Sequence, residues 1–121
     1  MTDRELYERA VAVSDQAYAP YSRFLVGAVV LARDGRTAEG VNVENAAYPL
    51  GVCAERAALA RAVTDALKPG DLVAIAITAT PCGGCRQWLV EFKLDRVVYK
   101  DNYGEIVTCT PDELLPDSFV L

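Results

Sequence analysis

The 121 residues contain no histidine. That absence removes Ser-His-Asp and Cys-His nucleophile systems and the HExxH zinc proteases. General acid–base work is left to carboxylates, Lys, Tyr or Cys. Clustered positive charge is missing too: 12 Lys and Arg stand against 17 Asp and Glu, for a net charge of −5. No basic track is present for a nucleic acid or an anionic membrane, and neither partner is expected. No apolar run approaches the roughly 18 residues needed to span a bilayer. The opening stretch, MTDRELYERAVAV, is charged throughout and lacks the apolar run of a signal peptide. A cytoplasmic protein is therefore expected. Repeats, linkers and low-complexity tracts are absent as well, and 52% of the residues are apolar. One folded domain over 1–121 is the expectation.

The pattern of what is present defines an order of elements. Leu6, Ala10, Val13 and Ala17 recur at helical spacing and Pro20 bars continuation, which predicts a helix over about 3–17. LVGAVVLA (25–32), the turn signal Asp34-Gly35 and RTAEGVNV (36–43) predict a β-hairpin. AERAALARAVTDAL (54–67) has apolar residues on more than one side and predicts a buried helix, stopped by Lys68-Pro69-Gly70. DLVAIAIT (71–78) predicts a strand covered on both faces. A helix over 83–92, a strand over 95–99, a turn at Asn102-Tyr103-Gly104 and a last strand, IVTCT, follow, with a hint of helical turn near the C-terminus. The order α-β-β-α-β-α-β-β implies helices layered on a mixed sheet, an α/β architecture.

TPCGGCRQ (80–87) places Cys82 and Cys85 on one face of a first helical turn, where one ion can reach both sulfurs. By itself this CxxC fits a redox pair, half a zinc site or coincidence. Cys53 precedes the Ala-rich helix, and if the two helix starts converge, three thiolates meet at two positive dipole ends. Three protein ligands leave a fourth tetrahedral position for water, which zinc acidifies. Glu55 is two residues beyond Cys53, placed to take a proton from that water without ligating the metal. Cys53-Ala54-Glu55 followed by Pro81-Cys82-x-x-Cys85 matches the signature of zinc-dependent nucleobase deaminases in a three-cysteine version. Cys109 has no partner motif and reads as a small strand residue.

PYSRFLVGA (20–28), GVNVENAAYPLGVCAERAAL (40–59) and PCGGCRQWLVEF (81–92), with a fainter echo in ELLPDSF (113–119), make the chain resemble the small cytidine deaminases of pyrimidine salvage over nearly its whole length. The resemblance implies a three-layer α/β/α fold with a mixed five-stranded sheet and one zinc per chain on Cys53, Cys82 and Cys85. It further implies Glu55 as the proton shuttle, Phe24 against the pyrimidine ring, Asn42 and Glu44 on the ribose 3′-hydroxyl, and the Ala54 backbone at the exocyclic amino group. Tyr48 would help form the pocket or a subunit contact. Proteins of this kind are homotetramers with sites at subunit interfaces, where a C-terminal aromatic from a neighbour, here Phe119, closes the cleft. Zinc with three thiolates carries a formal charge of −1, and the Arg56 guanidinium beside the sulfurs would drain it, a role the resemblance supports. One stretch departs from the family pattern: only Ala79-Thr80 or little more separates the third strand from Pro81, where relatives carry several further residues. A shorter loop there would alter the cleft rim or a subunit contact.

The expected function is hydrolytic deamination of cytidine and deoxycytidine. A deaminase of a cytosine-bearing antibiotic of the blasticidin type is the alternative within the same chemistry, and the run Asn42-Val43-Glu44-Asn45-Ala46 favours the plain nucleoside. A non-catalytic zinc or redox module is the alternative outside it.

Overall fold

The computed structural model describes residues 1–121. Helix α1 (Asp3–Ser14) starts at a capping box: the Thr2 hydroxyl accepts from Glu5 N–H while Glu5 carboxylate accepts from Thr2 N–H. Strands β1 (Gly27–Ala32) and β2 (Thr37–Val41) form the hairpin, and a short 3₁₀ turn (Tyr48–Leu50) leads to α2 (Ala54–Thr64). Then come β3 (Leu72–Ile77), α3 (Gly83–Glu91), β4 (Arg96–Lys100), β5 (Ile106–Cys109) and α4 (Pro111–Leu114). The sheet has the order β2-β1-β3-β4-β5, with β3 and β4 parallel and every other pair antiparallel.

Strand β3 is covered on both faces, as its unbroken apolar run implies. Ile75 and Ile77 join α2 and α3 residues (Ala58, Leu59, Leu89, Phe92) in one core, while Ala74 and Ala76 join Leu6, Ala10 and Val13 of α1 in the other. Helices on both faces of a mixed five-stranded sheet give the expected three layers. No helix is long and apolar enough to cross a membrane.

Three differences from the sequence reading have tertiary causes. Helix α1 stops at Ser14 because the backbone of Tyr18 pairs with Asn42 and Glu44 across the fold, at 3.0 and 2.8 Å. Strand β1 starts at Gly27 instead of 25 because the Asn42 side chain takes the ladder positions ahead of it: Oδ1 accepts from Val26 N–H and Nδ2 donates to Phe24 carbonyl, both at 2.9 Å. Helix α2 is buried on one face only; Ala60, Arg61 and Val63 face outward. The C-terminal hint of a helix is a single capped turn, α4, with Thr110 at its N-cap.

Two glycines let the helices rest on backbone. An ideal Cβ at Gly27 would lie 2.1 Å from Ala10 carbonyl on α1, and one at Gly40 would lie 2.3 Å from Ala58 N and 2.6 Å from Ala54 carbonyl on α2. Because the obstacles are backbone atoms, no rotamer change relieves them. Gly40→Ala should lower unfolding free energy by about 1–3 kcal/mol, the range for overpacking, or more. Gly83→Ala, with open space around its Cβ, should be neutral or stabilising. Chemical denaturation of both variants checks this, and equal stability of the two would deny the close contact.

Candidate metal centre and active site

Strands β2 and β3 each run antiparallel to β1 between them, so they point the same way and end at the same sheet edge. The helices that follow them, α2 and α3, therefore start side by side. Cys53 is the N-cap of α2 and Cys82 the N-cap of α3, both in extended backbone conformation. The Cys82 sulfur accepts from Cys85 N–H at 3.5 Å, and Arg56 Nη2 donates to the Cys53 sulfur at 3.5 Å.

The sulfurs of Cys53, Cys82 and Cys85 lie within 4.8 Å of one another. Tetrahedral zinc with Zn–S near 2.3 Å requires sulfurs about 3.8 Å apart, so small rotamer adjustments suffice. The charge environment also suits a cation on thiolates. Cys53 is pulled down to about 5, first by the hydrogen bond from Cys85 and then by Arg56. Cys85 is pushed up, first by that same bond to Cys53 and then by burial. A divalent ion binds the thiolate form, so metal binding at the three sulfurs would release their remaining protons. Arg56 Nε is buried without a hydrogen-bond partner, beside sulfurs that can accept from it. This donor set fits zinc, as three cysteines and no histidine also require.

Glu55, the only buried charged residue, is 4% exposed. Burial pushes its carboxyl up, and the Cys53 charge adds to that. It lines a cavity of about 220 Å³ together with Phe24, Asn42, Cys53, Ala54 and Cys82, with Ala79 and Thr80 also in the wall. A second cavity of about 240 Å³ adjoins it, sharing Asn42 and Cys53 and adding Tyr21, Glu44, Asn45 and Tyr48. One chamber holds the sulfurs and the buried carboxylate, and the other is polar at its rim.

The Phe24 loop is tied to this wall from both sides. Glu44 Oε1 accepts from Tyr21 N–H (2.9 Å) and Ser22 N–H (3.1 Å), and Oε2 accepts from the Ser22 hydroxyl. The Ser22 hydroxyl chiefly, with the backbone donors, holds the Glu44 carboxyl below the usual range. The clamp is thus in place at neutral pH and is released only as pH falls through that lowered value. It secures a backbone turn in which Arg23 adopts φ 61, a left-handed conformation costing on the order of 1–2 kcal/mol outside glycine. Sequence reasoning missed this part of Asn42 and Glu44: both are loop clamps. It also left Ser22 unassigned, although Ser22 stands inside the PYSRF stretch.

Tyr48 is 88% exposed at the rim of the second cavity. Phe119, 69% exposed, belongs to neither cavity of its own chain; its carbonyl accepts from Gln87 Nε2 at 3.1 Å. Cys109 lies on β5 outside the sulfur cluster. A larger apolar groove of about 490 Å³ runs between the outer faces of α2 and α3, lined by Ala60, Val63, Gln87, Trp88, Glu91 and Phe92. None of the three clustered cysteines lines it, nor does Glu55, and it lies apart from the chemistry.

Comparison with known proteins agrees with this geometry. The family model for the cytidine and deoxycytidylate deaminase zinc-binding region matches residues 1–101. A cytidine deaminase of Halalkalibacterium halodurans is 44% identical over 97% of this chain and 94% of its own. The crystal structure of cytidine deaminase from Burkholderia pseudomallei superposes with a TM-score of 0.91 at 42% identity, covering 98% of this chain and 100% of that one. The Mycobacterium tuberculosis cytidine deaminase structure gives a TM-score of 0.85 at 34% identity, covering 100% and 99%.

Metal analysis of the purified protein should find about one zinc per chain. Cys53→Ala, Cys82→Ala and Cys85→Ala should each lose it, and Cys109→Ala should keep it. Full occupancy in Cys82→Ala would sink the three-sulfur site.

Proposed function

The chain belongs to the cytidine and deoxycytidylate deaminase family, and on that premise we propose how its own residues replace the 4-amino group of cytidine by oxygen. The activity is zinc-dependent hydrolytic deamination of cytidine, cytidine and water giving uridine and ammonia. The observation that carries the residue assignment is the buried Glu55 carboxylate on the same cavity wall as Cys53, Cys82 and Phe24. Zinc held by Cys53, Cys82 and Cys85 supplies, when bound, a Lewis acid that makes a water in its remaining position more acidic.

Glu55 takes one proton from the attacking water and delivers it to ring N3; it then takes the second from the C4 hydroxyl and delivers it to the amino group as the C4–N bond breaks, which leaves the C4 carbonyl and ammonia. Its burial keeps bulk water from competing for those protons. Phe24 lies against the pyrimidine, and the Ala54 backbone contacts the exocyclic amino group. Arg56 donates to Cys53 and offsets the negative charge of the thiolates.

Asn42 and Glu44 hold the ribose 3′-hydroxyl with what the loop clamp leaves free. Asn42 has used one of its two N–H donors on Phe24 carbonyl, and Glu44 has used three acceptor sites, leaving about one of each. A 3′-phosphate would set like charges against each other in a partly desolvated cleft. The substrates are thus nucleosides, cytidine and deoxycytidine, in pyrimidine salvage, and the protein acts as one cytoplasmic domain. The exposed aromatics Phe24 and Tyr48 at the cleft, the exposed Phe119 away from it on the C-terminal arm, and the apolar groove of α2 and α3 support a homotetramer in which Phe119 of a neighbour completes the site.

Glu55→Gln should keep its zinc and lose about 10²–10⁴-fold or more in kcat, followed as ammonia release. Activity within tenfold of the parent would reduce Glu55 to a helix-start residue. Among substrates, cytidine and deoxycytidine should turn over, while cytidine 3′-phosphate and a short single strand should not. Efficient turnover of the strand would refute the Glu44 assignment. Failure on every one of these, with zinc present, would favour a cytosine-bearing antibiotic as the substrate.

A further inference from the structure

The C-terminal arm has almost nothing of its own to hold it. Residues 116–121 belong to no helix or strand, and none of the backbone hydrogen bonds outside those elements reaches them. Asp117 turns the chain through φ 52, and Phe119 and Val120 are 69% and 74% exposed. The arm's one side-chain hydrogen bond comes from α3: Gln87 Nε2 donates to Phe119 carbonyl at 3.1 Å. The preceding residue makes a matching link at the arm's root. Arg86 Nε donates to Pro81 carbonyl and Nη1 to Leu114 carbonyl, each at 3.0 Å, and no carboxylate pairs with it.

Adjacent side chains of one helical turn thus grip the root and the tip of the arm, immediately after Cys85. Arg86 also grips the carbonyl ahead of Cys82. We infer that Gln87 is a positioning residue: it latches the arm to the helix that carries Cys85 and so fixes where the Phe119 ring is presented. The inference rests on the reading above in which Phe119 completes a neighbouring subunit's site. A tip held only by its covalent link would sample many orientations, and ordering it at each encounter with substrate would weaken binding. With the latch made, that ordering is already complete before substrate arrives. Because a bond to a backbone carbonyl is indifferent to the ring itself, Gln87 acts on orientation and leaves the chemistry at C4 untouched.

The test uses the intact zinc-loaded protein. Gln87→Met keeps the length of the side chain and removes the donor, and Gln87→Lys keeps a donor at similar reach. Gln87→Met should raise KM for cytidine roughly three- to tenfold, the worth of one neutral hydrogen bond, with kcat within about twofold and zinc content unchanged. Carboxypeptidase should release Phe119 faster from Gln87→Met than from the parent, and Gln87→Lys should restore both readouts. Phe119→Ala should raise KM as well, and the double variant should be no worse than Phe119→Ala alone, because the latch acts only through that ring. If Phe119→Ala raises KM while Gln87→Met changes neither KM nor Phe119 release, the latch is overturned and the site-completing reading stands. If Phe119→Ala has the parent's KM, the site-completing reading itself is overturned. Effects that multiply in the double variant would show Gln87 acting by another route and would overturn the latch.

Discussion

Gly40 brings α2 down onto the backbone of β2, where Ala54 and Ala58 occupy the space a side chain would need. That contact sets the height of the helix's first turn above the sheet, and Cys53, Ala54 and Glu55 are that first turn. Helix α3 follows β3 after the few residues between Ile77 and Gly83 and packs in the same core as α2. Sulfurs from the starts of these two helices meet within 4.8 Å. Any residue with a Cβ at position 40 would lift one helix and leave the other in place. The metal geometry therefore depends on a glycine in a strand that contributes no ligand.

The electrostatics of the site follow from burying one carboxylate among sulfurs. An unpaired buried carboxylate is costly and responds by becoming harder to ionise, and Glu55 does so. The Cys53 charge intensifies the effect, while the backbone N–H at the start of α2, Cys85 and Arg56 oppose it. Zinc held by three thiolates would leave a formal charge of −1, which the Arg56 guanidinium on Cys53 is placed to offset. A carboxylate buried in the wall of the cavity that Cys53 and Cys82 line is a costly choice for a purely structural position.

The convergence of Cys53, Cys82 and Cys85, the place of Glu55 beside them and the order of elements along the chain were legible in the sequence because they depend on local pattern: a helix start, a CxxC turn, an unbroken apolar strand. The outward face of α2 was misread because composition registers apolar residues without registering which side another element covers. The double use of Asn42 and Glu44 was invisible for a related reason. Nothing in Asn-Val-Glu specifies that these side chains replace missing strand hydrogen bonds 16 to 23 residues away. A left-handed Arg23 has no sequence signal at all, since its strain is offset by contacts made elsewhere.

The loop clamp also bears on how the site discriminates. A carboxylate devoted only to sugar recognition could be lost with a simple loss of affinity for the ribose. Glu44 instead fixes Tyr21 and Ser22, just ahead of Phe24, so the ring proposed to face the base and the group proposed for the sugar belong to one hydrogen-bonded unit. Base and sugar recognition are then coupled by construction: displacing Glu44 to accommodate a bulkier or charged sugar would also release the Phe24 loop. With Glu44 at the sugar as proposed, a cleft built this way would tolerate little variation at the 3′ position without any side chain whose sole purpose is exclusion.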